Sequence, residues 1–242
     1  MTKEQQKQWI REQMGAIQVE LSDIQTEQFH LYYEMLAEKN KVMNLTAITE
    51  FEDVVQKHFV DSVILPKQFV QRPEEISLID VGTGAGFPGI PLKIVYPEMK
   101  VVLLDSLNKR ILFLREVMDA LHLEGIEAVH TRAEDGARNP LYREQFNLCV
   151  SRAVANLSTL SEYCLPFLQV GGQFVSYKSG AVEEELARAE KGIRCLGGNI
   201  QEKIVFSLPG SDIGRSFVVI RKEKKTPKQY PRKAGMPAKQ PL

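Results

Sequence analysis

The chain has 242 residues, of which 43% are hydrophobic and 26% charged, enough for one large domain with a sizeable core; a mini-protein and wholesale disorder are excluded. Lys and Arg match Asp and Glu at 31 each, so net charge alone names no class of partner. No apolar run approaches about 18 residues and no basic, apolar leader opens the chain, which predicts a cytoplasmic protein without a membrane span.

From the start to Pro73 the pattern is helical: Phe29, Tyr32, Tyr33 and Leu36 recur at helical spacing, as do Phe51, Val54, Val55, Phe59 and Val63. Residues 1–73 therefore form a helical N-terminal appendage, broken off by Pro66 and Pro73. His58 and Asp61, three apart within it, suit a shared helix face and are read as packing or capping groups, with an RNA contact as the alternative. Seven strands follow, at 77–80, 100–104, 126–130, 146–151, 173–177, 200–206 and 217–221. Several are nearly continuous apolar runs, as strands covered on both faces are. Between them Leu107, Ile111, Leu114, Met118 and Leu121 form one helical stripe. Val182, Leu186, Ala189, Ile193 and Leu196 form another, stopped by Gly197-Gly198. This order predicts an α/β, Rossmann-like, doubly wound and mostly parallel sheet over residues 74–221. The last two strands are too close for a crossover helix and should pair as a terminal antiparallel hairpin.

From Arg221 to the end eight Lys and Arg stand against Glu223, giving +7 and leaving −7 on residues 1–220. With four of the twelve prolines, the tail at 222–242 is predicted to be extended, and its charge suits a polyanion such as RNA; a solvated tail without a partner is the alternative. Cys149, Cys164 and Cys195 make no Cys-x-x-Cys pair and are odd in number. They are expected to be reduced and mostly buried, and no structural metal site is predicted.

The most informative segment runs from Leu78 to Gly89, a strand leading through glycines towards a helix. Gly84, Gly86 and Gly89 satisfy the dinucleotide pattern G-x-G-x-x-G, while Asp80, Gly82, Gly84 and Gly86 satisfy D-x-G-x-G-x-G, the pattern of S-adenosylmethionine (SAM) methyltransferases. A carboxylate at Asp80 repels a pyrophosphate and suits an ammonium and a sulfonium, which favours SAM and a class I methyltransferase fold. Asp105, nineteen residues beyond Gly86, ends the second strand where an acid accepts ribose hydroxyls; a helix N-cap is its other reading. Ala133 and Glu134, after the third strand, are candidates for adenine contacts, or else part of an ordinary acidic loop.

At the fourth strand's exit there is no N/D-P-P-Y/F motif and no Pro-Cys nucleophile, since Cys149 lies inside the strand. Arg152 there, and Lys178 at the end of the fifth strand, are the candidate catalytic groups; surface cations are the alternative. Guanine N7 fits this inventory as acceptor, because its lone pair needs no general base and catalysis reduces to alignment, with Arg152 donating to the base.

Several segments together resemble one family: Asn44-Leu45-Thr46, His58 with Asp61-Ser62, Asp80 to Gly89, Asp105 to Arg110, Arg132-Ala133-Glu134, Ser151-Arg152-Ala153-Val154, and Thr226-Pro227 through Tyr230-Pro231-Arg232. They are similar to the glucose-inhibited division protein B family, bacterial small-subunit ribosomal RNA guanine-N7 methyltransferases. The resemblance implies SAM-dependent methylation of one guanine in the decoding-region loop of 16S rRNA, releasing S-adenosylhomocysteine. It implies cofactor contacts at Gly82, Phe87, Ala133, Glu134 and Arg152, RNA docking by Arg and Lys including the tail, and action in the cytoplasm; a monomer is expected. Asp80, Gly84, Gly86 and Asp105 rest on the wider superfamily pattern. Two other classes stay open: an RNA-binding assembly factor that holds SAM without turnover, and an NAD-dependent oxidoreductase.

Overall fold

Capping boxes start the first two helices. Thr2 accepts from Gln5 N and Ser22 from Gln25 N, while each glutamine side chain accepts the cap residue's own N–H, opening α1 (Lys3–Ala16) and α2 (Asp23–Met43). Asn44, in the left-handed region at φ 48°, ends α2. The helix α3 (Phe51–Val54) continues without a break through a π-helical turn (Val55–Val60) into α4 (Asp61–Val63). These elements come from a computed structural model, which describes residues 1–152, 155–180 and 182–242. Ala153 and Val154, part of the motif after the fourth strand, lie outside the described residues.

Seven strands form one sheet: β1 (Ser77–Val81), β2 (Lys100–Asp105), β3 (Ile126–His130), β4 (Phe146–Ser151), β5 (Leu168–Ser179), β6 (Gly198–Ser207) and β7 (Gly214–Lys222). Their order is β3-β2-β1-β4-β5-β7-β6. The first five are parallel, and β7 inserts antiparallel between β5 and β6, so the terminal hairpin forms as the short loop requires. Between β1 and β4 the winding changes direction, which opens a crevice at their carboxyl ends.

The period of two divides the core. Leu78 joins a cluster with Ile10, Phe29, Phe59, Leu103 and Ile111 on one face, and its neighbour Ile79 joins Val102, Leu160, Phe167 and Ile193 on the other. The first face is covered by α1 to α4 with α5 (Gly89–Val95) and α6 (Asn108–Ala120); the second by α7 (Ala133–Gly136), α8 (Leu157–Cys164) and α9 (Glu183–Cys195). The N-terminal appendage thus shares a core with the sheet. Leu107, expected at the head of the stripe on α6, is its N-cap and is 43% exposed. No helix among the described residues is long and apolar enough to cross a membrane. Cys149 and Cys164 are buried and Cys195 is exposed, all three as free thiols.

The expectation of an extended tail is corrected: residues 222–242, including α10 (Met236–Lys239), fold back onto the second face. Proline lacks an N–H but keeps its carbonyl, and the body supplies the matching donors. Arg138 donates to Pro231 O at 2.6 Å, Arg143 to Tyr230 O and Thr226 O at 2.9 Å, and Thr159 to Pro237 O at 3.0 Å. Two tail cations are internal: fully buried Lys222 donates to Leu165 O and Thr226 Oγ1, and Arg232 pairs with the fully buried Glu162. Arg221, Lys224, Lys225, Lys228, Lys233 and Lys239 remain exposed.

Removing one partner of a buried pair leaves the other charge uncompensated. Arg232→Ala should therefore cost about 3 kcal/mol in urea denaturation; a loss under about 0.5 kcal/mol, ordinary for a surface site, would mean that the tail is not held as described.

Candidate active site

The turn after β1 is built on Asp80. This carboxylate is fully buried beneath the turn, where Oδ2 accepts Thr83 Oγ1 at 2.7 Å and Gly89 N at 2.9 Å. Its Oδ1 has no partner among the described residues, and burial pushes the group up to about 7 against the pull of those two bonds. The structure places Asp80 under the ligand surface as the turn's scaffold. Gly86 is also set back: a Cβ there would stand 2.6 Å from both Tyr32 Oη and Ile90 Cδ1. That closeness lets Tyr32, on α2, donate to Ala85 O at 2.5 Å and fasten the appendage to the turn.

Above the turn lies a cavity of about 590 Å³, within the usual range for small-molecule sites. Gly82, Gly84, Phe87, Asp105, Ala133, Glu134 and Arg152 all line it, so the structure brings together seven of the nine positions expected to bind a cofactor. Gly84 sits at φ +64° and the direction of a Cβ is open for 4 Å, so the backbone is bare towards the cavity. Asp105 accepts Gly84 N at 3.0 Å and Arg110 Nη1 at 3.2 Å on Oδ2, and Leu107 N at 2.9 Å on Oδ1. It therefore joins the turn to the start of α6 as well as lining the cavity; it is not the helix N-cap, which is Leu107. Glu134 accepts Gly235 N at 2.7 Å from the tail. Thr46, Arg110, Leu160 and Tyr163 are also in the wall. The first two fell within recognised motifs without an assigned role, while Leu160 and Tyr163 carry no local signal.

Arg152 closes the other end. Its Nη1 donates to Lys57 O and Asp61 Oδ2, both at 3.1 Å, and its Nη2 lies 3.1 Å from His58 Nδ1. The guanidinium stands 5.0 Å above the Phe87 ring, on which His58 also stacks at 4.6 Å. Nδ1 also stands 3.1 Å from Lys57 O and Nε2 stands 2.8 Å from Thr46 Oγ1, so both ring nitrogens are engaged whichever carries the proton. Burial, then the charge of Arg152, push this imidazole down to about 3, and it is neutral at pH 7. Asp61 also accepts Arg215 Nε at 2.8 Å, so one buried carboxylate pairs with two guanidiniums. His58 and Asp61 thus serve a common purpose by holding Arg152 rather than each other. The π-helical turn, with Asp61 N–H donating to Gln56 O, presents Lys57 O, His58 and Asp61 together.

Arg152, His58 and Ala155 also line a second cavity of about 660 Å³, bounded by Lys57, Asp61, Tyr177, Lys178 and Arg215. Lys178 touches only this one. Its ammonium is bound by Glu185 Oε1 at 2.6 Å and Ala155 O at 2.9 Å.

Comparison with known proteins agrees with this geometry. Residues 25–209 match the model of the GidB family, rRNA small subunit methyltransferase G. The chain belongs to that family. It is 53% identical to the ribosomal RNA small subunit methyltransferase G of Lachnoclostridium phytofermentans, over 95% of this chain and 94% of that one. It is 49% identical to the protein of the same name from Staphylococcus carnosus, over 97% and 98%. Among solved structures it resembles P. horikoshii TYW2 in complex with MeSAdo (TM-score 0.53, 13% identity, covering 68% of this chain and 61% of that one). It also resembles a mutant of MtNAS (TM-score 0.55, 13% identity, 83% and 75%). The sheet is that of the class I SAM-dependent methyltransferases.

A raised carboxyl pKa binds its proton more tightly in the folded chain, so between the ordinary value of 3.8 and about 7 the unfolded chain loses that proton first. The contribution of Asp80 to stability therefore falls as pH rises through that window. Asp80→Asn removes it, and the variant should gain on the parent in denaturant titrations between pH 5 and pH 8; a constant difference would contradict a neutral Asp80.

Proposed function

We propose that this chain transfers a methyl group from SAM to N7 of a guanine in the decoding-region loop of 16S rRNA, releasing S-adenosylhomocysteine. Family membership supports methylation of small-subunit rRNA. The choice of N7 rests on one observation: the second cavity, where the acceptor would enter, offers no free base among the described residues. Asp61 is held by Arg152 and Arg215, Glu185 by Lys178, and both ring nitrogens of His58 by Arg152, Lys57 O and Thr46. An amine acceptor needs a proton removed as it attacks, whereas the N7 lone pair does not.

The residues of the first cavity fit SAM. Gly84 presents bare backbone, and Asp105 keeps acceptor capacity at the end of β2 for ribose hydroxyls. The Thr131–Glu134 segment lines the cavity after β3 and would meet adenine. The bound sulfonium would supply an electrophilic methyl carbon, the C–N bond forming as the C–S electron pair returns to sulfur. What the chain's own groups contribute is alignment. Arg152 stands between the cavities with N–H groups left over, and would donate to guanine O6 while leaving N7 exposed. Lys178, pinned by Glu185 and Ala155, would act by shaping the acceptor cavity rather than by moving a proton. Lys224, Lys225 and Lys228 on the folded tail would meet rRNA phosphates.

The test is transfer of a labelled methyl group from SAM to small-subunit RNA or subunits from cells lacking the protein, followed by chemical cleavage at 7-methylguanine. One labelled cleavage site in the decoding-region loop is expected. Label at another atom would refute the N7 assignment. SAM binding without any label would favour the assembly-factor alternative.

A further inference from the structure

The cofactor cavity has two walls from distant parts of the chain. Thr131 to Glu134, entering α7, form one, and Leu160 with Tyr163 on α8 form the other. Each wall carries a buried carboxylate, Glu134 at 4% exposure and Glu162 at none, and neither is neutralised by a cation of its own wall. Both are taken by the tail. Arg232 closes on Glu162 with Nε at 3.0 and 3.1 Å, Nη2 at 2.6 Å and its backbone N–H at 2.7 Å. Three residues later, Gly235 N–H donates to Glu134 Oε1 at 2.7 Å. Pro231 O, just before, accepts from Arg138 beyond α7, and Pro237 O, just after, accepts from Thr159 on α8. Over these seven residues the tail bonds alternately to the two walls.

We propose that Pro231 to Pro237 is a clasp that joins the walls of the cofactor cavity, so that docking of the tail and binding of the cofactor are thermodynamically linked. The proposal rests on the SAM reading above. Its physical content is that Arg232, a cation of the basic tail, serves the cofactor site rather than RNA. Glu134, and with it the Thr131–Glu134 segment, has its position fixed from outside by Gly235. Gly235 stands at φ +82°, a conformation that lets the chain turn from Arg232 towards Glu134. Linkage is reciprocal: whatever the clasp adds to cofactor affinity, the cofactor adds to clasp docking.

Two variants test this. Deleting residues 234–242 removes the bond to Glu134 and keeps the Arg232–Glu162 pair. Glu162→Gln combined with Arg232→Gln neutralises both ends of the pair together. S-adenosylhomocysteine affinity by calorimetry should weaken at least about fivefold in each. The KM for SAM should rise with it, while kcat at saturating SAM stays within about twofold, since the clasp touches no reacting atom. In the unaltered chain, saturating S-adenosylhomocysteine should slow tryptic cleavage after Lys233. Folded variants that bind S-adenosylhomocysteine as tightly as the parent, with cleavage indifferent to it, would overturn the clasp. Failure of the unaltered chain itself to bind would instead overturn the cofactor reading, and the clasp with it.

Discussion

A guanidinium cannot shed its proton, so wherever one is drawn into a protein its charge has to be met. Arg152 leaves the end of β4 at the switch point of the sheet, and its charge is met from outside the sheet by Asp61, Lys57 O and His58 on the N-terminal helices. That requirement explains the surrounding structure. The helix from Phe51 widens to a π turn where three groups must face one guanidinium, and His58 stays neutral as burial and Arg152 both disfavour its charge. Phe87 lies under both side chains. The helices at the N-terminus are thereby part of the candidate site, and Arg152 stands as a partition between its two cavities.

The same logic of distant parts converging governs the cofactor side. Asp80 braces the glycine turn from below through Thr83 and Gly89, Tyr32 braces it from α2, and the tail braces the far wall through Glu134 and Glu162. A site that depends on alignment rather than on proton transfer needs such bracing, because small displacements of the reacting centres cost rate steeply.

The sheet was largely legible because its strands are apolar runs separated by glycine and proline, and because the loop before the last strand is too short for a crossover. Seven of the positions expected to bind a cofactor line one cavity for a different reason: the fold aligns the carboxyl ends of consecutive strands, so Gly82, Asp105 and Arg152, which are far apart in sequence, reach one crevice. Asp80 shows the limit of pattern. The motif marks the residue, but whether it faces the ligand or the turn depends on bonds to Thr83 and Gly89 that spacing does not encode. The tail shows another. Its charge and prolines read as an extended arm, because the donors that fold it, Arg138, Arg143 and Thr159, and the acid that anchors it, Glu162, lie elsewhere in the chain. His58 and Asp61 were marked as a pair, and only the third dimension supplies the Arg152 between them.

On the proposed reading, Arg152 and its partners present an acceptor with a ready lone pair and do nothing as a base. The most direct measurement is single-turnover methyl transfer to 16S rRNA transcribed with 7-deazaguanosine in place of guanosine, assembled with ribosomal proteins if naked RNA is inert, beside an unmodified control. The account predicts that the substituted RNA competes for binding and accepts no methyl group, because the attacking nitrogen has become a C–H. Methyl transfer at a rate near that of the control would place the acceptor on another atom and require a base that this account denies.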